Sequence, residues 1–202
     1  MILKVFIFGM LATIPVVLAE MGIEQFLKSN LTPFLFPVIN AFLGVALIEE
    51  FGKFLVVKGK VLKNIEFDEP LDAMLYMIIA ALGFAAAENI LILFGLGPKF
   101  MLTDTVSLTV LRFLGATFLH TLSSGILGYF LAFSICETKK RGRFLLAGIA
   151  LATFLHGLYN FSIMELDSGL NFLIPIAVLL GTAAFFSYAF KRLKALKSVC
   201  KI

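Results

Sequence analysis

Seven ionisable side chains fall inside long apolar runs of this chain: Glu49, Glu50, Lys53, Glu88, Arg112, His120 and His156. The chain has only two histidines, and both are among them. An ionisable group at the centre of a membrane helix costs about 2.5–3.5 kcal/mol on insertion scales, so such groups are kept where function needs them. Carboxylates and neutral imidazoles are the groups of acid–base catalysis, proton relay and metal ligation. The residue types alone leave those three chemistries open.

Spacing sharpens the reading. Lys53 follows Glu49 by four residues and Glu50 by three, so on a helix it reaches both and can neutralise one. The second carboxylate then lacks a sequence-local partner. Two close carboxylates in low dielectric tend to share one proton, which suits general acid or base work. The plainer alternative is an ion pair that packs two helices together. In the next apolar run Phe84 and Glu88 share a face, beside the small residues Gly83 and Ala85–Ala87 that admit a neighbouring helix. Glu88 alone also reads as a structural partner for Arg112, a role compatible with holding a catalytic group in place. Ser124 lies one turn beyond His120, and Asn160 one turn beyond His156, so each pair shares a face.

Composition dictates what must position these groups. Of the 202 residues, 60% are hydrophobic and only 15% charged, with a mean hydropathy of +1.02. Soluble domains carry about 25% charged residues. Six apolar segments, 2–19, 31–57, 71–96, 105–135, 144–164 and 170–190, are long enough to span a bilayer. Backbone polar groups in lipid must be satisfied internally, and no segment alternates with period two, so the spans are helices and not barrel strands. The expectation is an all-α, polytopic membrane bundle of about six transmembrane helices forming one domain over residues 1–202.

Basic residues then orient the bundle. Lys4, Lys58, Lys60, Lys63, Lys139, Lys140, Arg141, Arg143 and the tail from Lys191 to Lys201 fall on one face, against Lys28 and Lys99 on the other. By the positive-inside rule both termini are cytoplasmic. That placement accounts for the net charge of +4 without a nucleic-acid partner. The first segment has a signal-peptide-like outline, ending Val17-Leu18-Ala19, and is read as an uncleaved span. Cys136 and Cys200 lie in segments assigned to the cytoplasm, where no disulfide is expected, and they form no metal-type pair.

Taken in order, Glu49-Glu50-Phe51-Gly52-Lys53, Phe84-Ala85-Ala86-Ala87-Glu88-Asn89, His120, and His156-Gly157-Leu158-Tyr159-Asn160 resemble the motifs of the PrsW family of intramembrane proteases. That family shares a superfamily with CAAX-prenyl proteases and bacteriocin-processing enzymes. Arg112, upstream of His120, fits the same pattern. The resemblance implies hydrolysis of peptide bonds in membrane-anchored proteins, regulatory ones such as anti-sigma factors among them. Glu49, Glu50, Glu88, His120, His156 and Asn160 would then be catalytic, supported by Lys53, Phe84, Asn89 and Arg112. Glu49 or Glu50 would activate water with help from a histidine, and His156 and Asn160 would hold the oxyanion. One Zn²⁺ on Glu88, His120 and His156 is compatible with the family's description as metalloproteases, although no HExxH motif is present, and the metal stays open. The competing expectations are a small transporter or proton relay, and a non-catalytic scaffold or immunity protein of the same superfamily. A transporter would be expected to show repeats, and none is visible.

Overall fold

The computed structural model describes residues 1–95, 113–166 and 169–196, and among these every regular element is a helix, with no strand. Helix α1 spans Ile2–Asn30. A second rod runs without a break from α2 (Phe36–Ile39) through a π-helical stretch (Asn40–Ala46) into α3 (Leu47–Lys60). Helix α4 spans Pro70–Gly95. A shorter π-helical turn, Phe113–Thr117, leads into α5 (Phe118–Cys136), and α6 (Arg141–Glu165) and α7 (Leu170–Ala195) follow.

Among the described residues, five stretches are long and apolar enough to cross a membrane: α1, α4, Gly115–Cys136, Thr138–Glu165 and α7. The rod Phe36–Lys60, expected as the second span, is not one of them because it concentrates the charged groups Glu49, Glu50 and Lys53. The charges that disqualify it by composition are those the fold buries.

Packing follows from small residues where helices meet. A side chain on Gly9 of α1 would strike the Ala80 carbonyl of α4, and one on Gly83 of α4 would strike the Phe6 carbonyl of α1. These two glycines let the backbones touch, which is how helices associate when lipid gives no hydrophobic drive. Thr13 adds a polar tie, donating at 3.4 Å to the Phe84 carbonyl. Helix α5 is the central helix: 72% of its apolar window is buried, against 22–33% for the other spans. The outer faces present large apolar side chains such as Leu18, Phe94, Leu146 and Leu180, as a lipid-facing surface requires.

The bundle is dry at one end and polar at the other. Phe54, Val57, Met74, Met77, Leu127, Leu131 and Leu193 form one buried cluster near the lysine-rich helix ends. Below it the N-terminal ammonium pairs with Glu66 at 2.9 Å. Asp72 accepts the backbone N–H groups of Asp68 and Glu69, capping α4 just ahead of Pro70. Cys136 is disulfide-bonded, with its partner outside the described residues, and so departs from the free thiols expected.

Candidate active site

Glu49, Glu50 and Lys53 sit one turn past the π-helical stretch of the second rod. Such i→i+5 stretches are rare and gather at functional sites. All three side chains are buried. Lys53 Nζ donates to both glutamates, at 3.1 Å to Glu49 Oε2 and 2.9 Å to Glu50 Oε1. One lysine therefore binds both carboxylates, where the spacing promised neutralisation of one.

The two glutamates nevertheless differ. Glu50 is saturated: Ser123 donates to its Oε1 at 3.1 Å, Ser124 to its Oε2 at 2.7 Å, and His156 Nδ1 lies 3.0 Å from Oε1. Glu49 instead lines a pocket of about 510 Å³, in company with Glu88, His120, His156 and Asn160. Adjacent residues on a helix point roughly 100° apart. Here that rotation puts one carboxylate into the bundle and the other into the pocket.

The histidine tautomers follow from their partners. An ammonium only donates, so His120 Nδ1, 2.8 Å from Lys53 Nζ, carries a lone pair. His120 Nε2 then bears the hydrogen and donates to Glu88 Oε2 at 2.9 Å. By the same reasoning His156 Nδ1 donates to the Glu50 carboxylate, which leaves the Nε2 lone pair directed inward, 3.8 Å from Glu49 Oε2. His120 Nδ1 lies 3.4 Å from that same oxygen. The two imidazoles meet edge-on, with centroids 4.8 Å apart. Phe84 supports them: its ring lies 4.7 Å from Lys53 Nζ and 5.9 Å from the His120 ring. Asn89 donates to Thr117 at 3.1 Å and so ties α4 to the turn before α5.

The pocket extends away from the lysine-rich helix ends. Its further lining comes from Ile92 near the end of α4, Ala116 ahead of α5, and Ile163 and Met164 at the end of α6. It also includes Glu20 of α1, a residue the sequence reading placed in a loop. Helix α1 continues to Asn30, so Glu20 is intrahelical, and its Oε1 is buried without a hydrogen-bond partner. An acidic residue one position past an apolar run was the available signal. Arg112 lies outside the described residues.

Glu49, His120 and His156 each bring one ligand atom within 4.8 Å of the others, and all three are buried. Glu88, expected as a ligand, holds the outer nitrogen of His120 instead. Two imidazoles and one carboxylate match a donor set taken by zinc, and ligating histidines characteristically give their second N–H to a carboxylate. Here Glu88 and Glu50 fill that supporting role for His120 and His156. The donor set therefore fits a metal ion.

Residues 1–189 match the family described as PrsW family intramembrane metalloprotease. The chain is 34% identical over 165 residues to Protease PrsW of Geobacillus kaustophilus, covering 81% of this chain and 67% of that protein. It is 30% identical over 186 residues to Protease PrsW of Oceanobacillus iheyensis, covering 92% and 80% respectively. Against Protease PrsW of Bacillus subtilis it is 29% identical over 181 residues, with coverage of 89% and 77%. No solved structure matches the chain significantly. With its apolar helices and its buried glutamate–histidine cluster, the chain belongs to the PrsW family of intramembrane proteases.

Proposed function

We propose that this chain hydrolyses a peptide bond of a membrane-anchored protein, using Glu49 as the base that activates water. The observation that carries the assignment is the division of labour within the glutamate pair: Glu50 spends its oxygens on Lys53, Ser123, Ser124 and His156, whereas Glu49 faces the pocket.

Peptide hydrolysis needs an activated water, stabilisation of a tetrahedral oxyanion, and a proton for the leaving amine. A water between Glu49 Oε2 and His156 Nε2 meets two acceptors 3.8 Å apart. Glu49 takes its proton as the oxygen attacks the carbonyl carbon, and later passes that proton to the amine. Glu50 fixes the His156 ring as an aspartate orients the histidine of a catalytic triad. His156 therefore acts first as an acceptor, not as the oxyanion donor the motif suggested. Asn160, in the same pocket, supplies an amide N–H for the oxyanion. Glu88 and Lys53 hold His120 from opposite sides. Glu49, His120 and His156 are also the residues that would hold a Zn²⁺, which when bound lowers the pKa of water and polarises a carbonyl.

The reading treats the whole chain as one membrane domain with both termini cytoplasmic, supported by its lysine and arginine distribution. The pocket then opens toward the non-cytoplasmic face. Single-span substrates, anti-sigma-factor-like proteins among them, would enter with the scissile bond on that side. The test is reconstitution in liposomes with single-span substrates whose cleavable segment lies on one side or the other. Cleavage restricted to the non-cytoplasmic segment, and lost in His156→Ala, is expected. Solute uptake or proton flux without cleavage would favour a transporter.

A further inference from the structure

We propose that Lys53 is a tethered cation that competes with a divalent metal ion for Glu49 Oε2 and His120 Nδ1. The inference rests on the reading of Glu49, His120 and His156 as the reacting set, and not on whether the chain cleaves peptides.

The geometry has three parts. First, the inward-facing atoms of the candidate metal set are identified by exclusion. His156 Nδ1 is held by Glu50 and His120 Nε2 by Glu88, which leaves His156 Nε2 and His120 Nδ1, at 3.8 Å and 3.4 Å from Glu49 Oε2. Ligand atoms about 2.0–2.2 Å from a tetrahedral zinc lie roughly 3.3–3.6 Å from one another, so the two separations from Glu49 are close to that spacing, and the whole set, within 4.8 Å, would contract around an ion. Second, two of the three atoms are already bonded to the same ammonium, at 3.1 Å and 2.8 Å. Third, that ammonium is fully buried and bonds a third acceptor, Glu50 Oε1, at 2.9 Å, so its three donors are all engaged.

The imidazole nitrogen has one lone pair. It can accept a hydrogen bond from Lys53 or coordinate a metal, but not both. A dication seated among these atoms would also lie beside the ammonium with no water between them, a like-charge contact that burial strengthens. Metal entry therefore requires Lys53 to release His120. Lys53 Nζ already lies 4.7 Å from the centre of the Phe84 ring, so the released ammonium keeps Glu50 and the aromatic face as its remaining partners. A single lysine thus stabilises the cluster as a cation would, and sets the threshold at which a metal can displace it.

The experiment is metal titration of purified full-length protein in detergent, following Co²⁺ d–d absorption and Zn²⁺ retained after gel filtration. Wild type, Lys53→Met and Lys53→Gln are compared, with Lys53→Met/His156→Ala as the control for site identity. Lys53→Met and Lys53→Gln should bind Co²⁺ at least tenfold more tightly than wild type, with the tetrahedral spectrum lost in the double variant. Zn²⁺ should raise the melting temperature of the lysine variants more than that of wild type, because a ligand specific for the folded state stabilises in proportion to its affinity. The glutamine variant keeps a hydrogen-bonding side chain and serves if the methionine variant fails to fold. Equal or weaker binding in the lysine variants overturns the proposal, as does absence of binding in all the proteins. Cleavage is not measured, so failure of the protease reading would leave this result interpretable.

Discussion

Ser124 donates a 2.7 Å hydrogen bond to Glu50 Oε2, joining the central helix α5 to the charged rod that carries the glutamate pair. Together with Ser123 and His156, it converts Glu50 from a spare carboxylate into the anchor of the site. Breaking one partner of a buried ionic cluster costs about 3–5 kcal/mol, whereas losing one hydrogen bond to a charged group costs about 1.5–3 kcal/mol. Glu50→Gln should therefore lower the unfolding midpoint in detergent well below that of Ser124→Ala. Ser124→Ala should retain measurable cleavage. Equal midpoints for the two variants would contradict the anchoring role.

Glu88 fixes His120 by accepting its Nε2–H. A glutamine still offers an oxygen at that position, while an alanine offers nothing. Removing such an orienting partner costs about 10–100-fold in activity or metal affinity. Cleavage rates should thus fall in the order wild type, Glu88→Gln, Glu88→Ala, and full activity in Glu88→Ala would show that His120 needs no such support.

Asn160 contributes to the pocket one turn past His156. If its amide binds the developing oxyanion, Asn160→Ala lowers kcat by about 10²–10³ and leaves KM nearly unchanged, since the bond strengthens only in the transition state. A raised KM at constant kcat would make it a ground-state substrate contact.

The contact between α1 and α4 is testable through stability alone. An alanine at Gly83 would push its Cβ into the Phe6 carbonyl, whereas a Cβ at Gly22 meets nothing. Overpacking costs about 1–3 kcal/mol, so Gly83→Ala should melt earlier than wild type and Gly22→Ala should not. Identical melting of both would mean the helices separate at no cost.

Much of this was legible from residue types. Buried glutamates and histidines, the Lys53 spacing and the Phe84–Glu88 face all follow from helix geometry, and the structure brings Glu49, Glu50, Glu88, His120 and His156 together. What sequence could not separate was Glu49 from Glu50. Their difference comes from Ser123, Ser124 and His156, which lie 73 or more residues away and mark no local pattern. Glu20 was missed because the first apolar run ends there, although the helix goes on for another ten residues to Asn30. Helices do not stop where hydropathy does.

The central claim is that Glu49, and not its neighbour, moves the proton. Single-turnover cleavage of a reconstituted single-span substrate by wild type and Glu49→Gln tests this most directly, with thermal unfolding of both proteins measured in the same lipid. Removing a positioned general base costs about 10²–10⁴ in rate. The account predicts a loss of that size with Glu49→Gln still folded and melting above Glu50→Gln, which loses more buried partners. Undiminished cleavage by folded Glu49→Gln would contradict it.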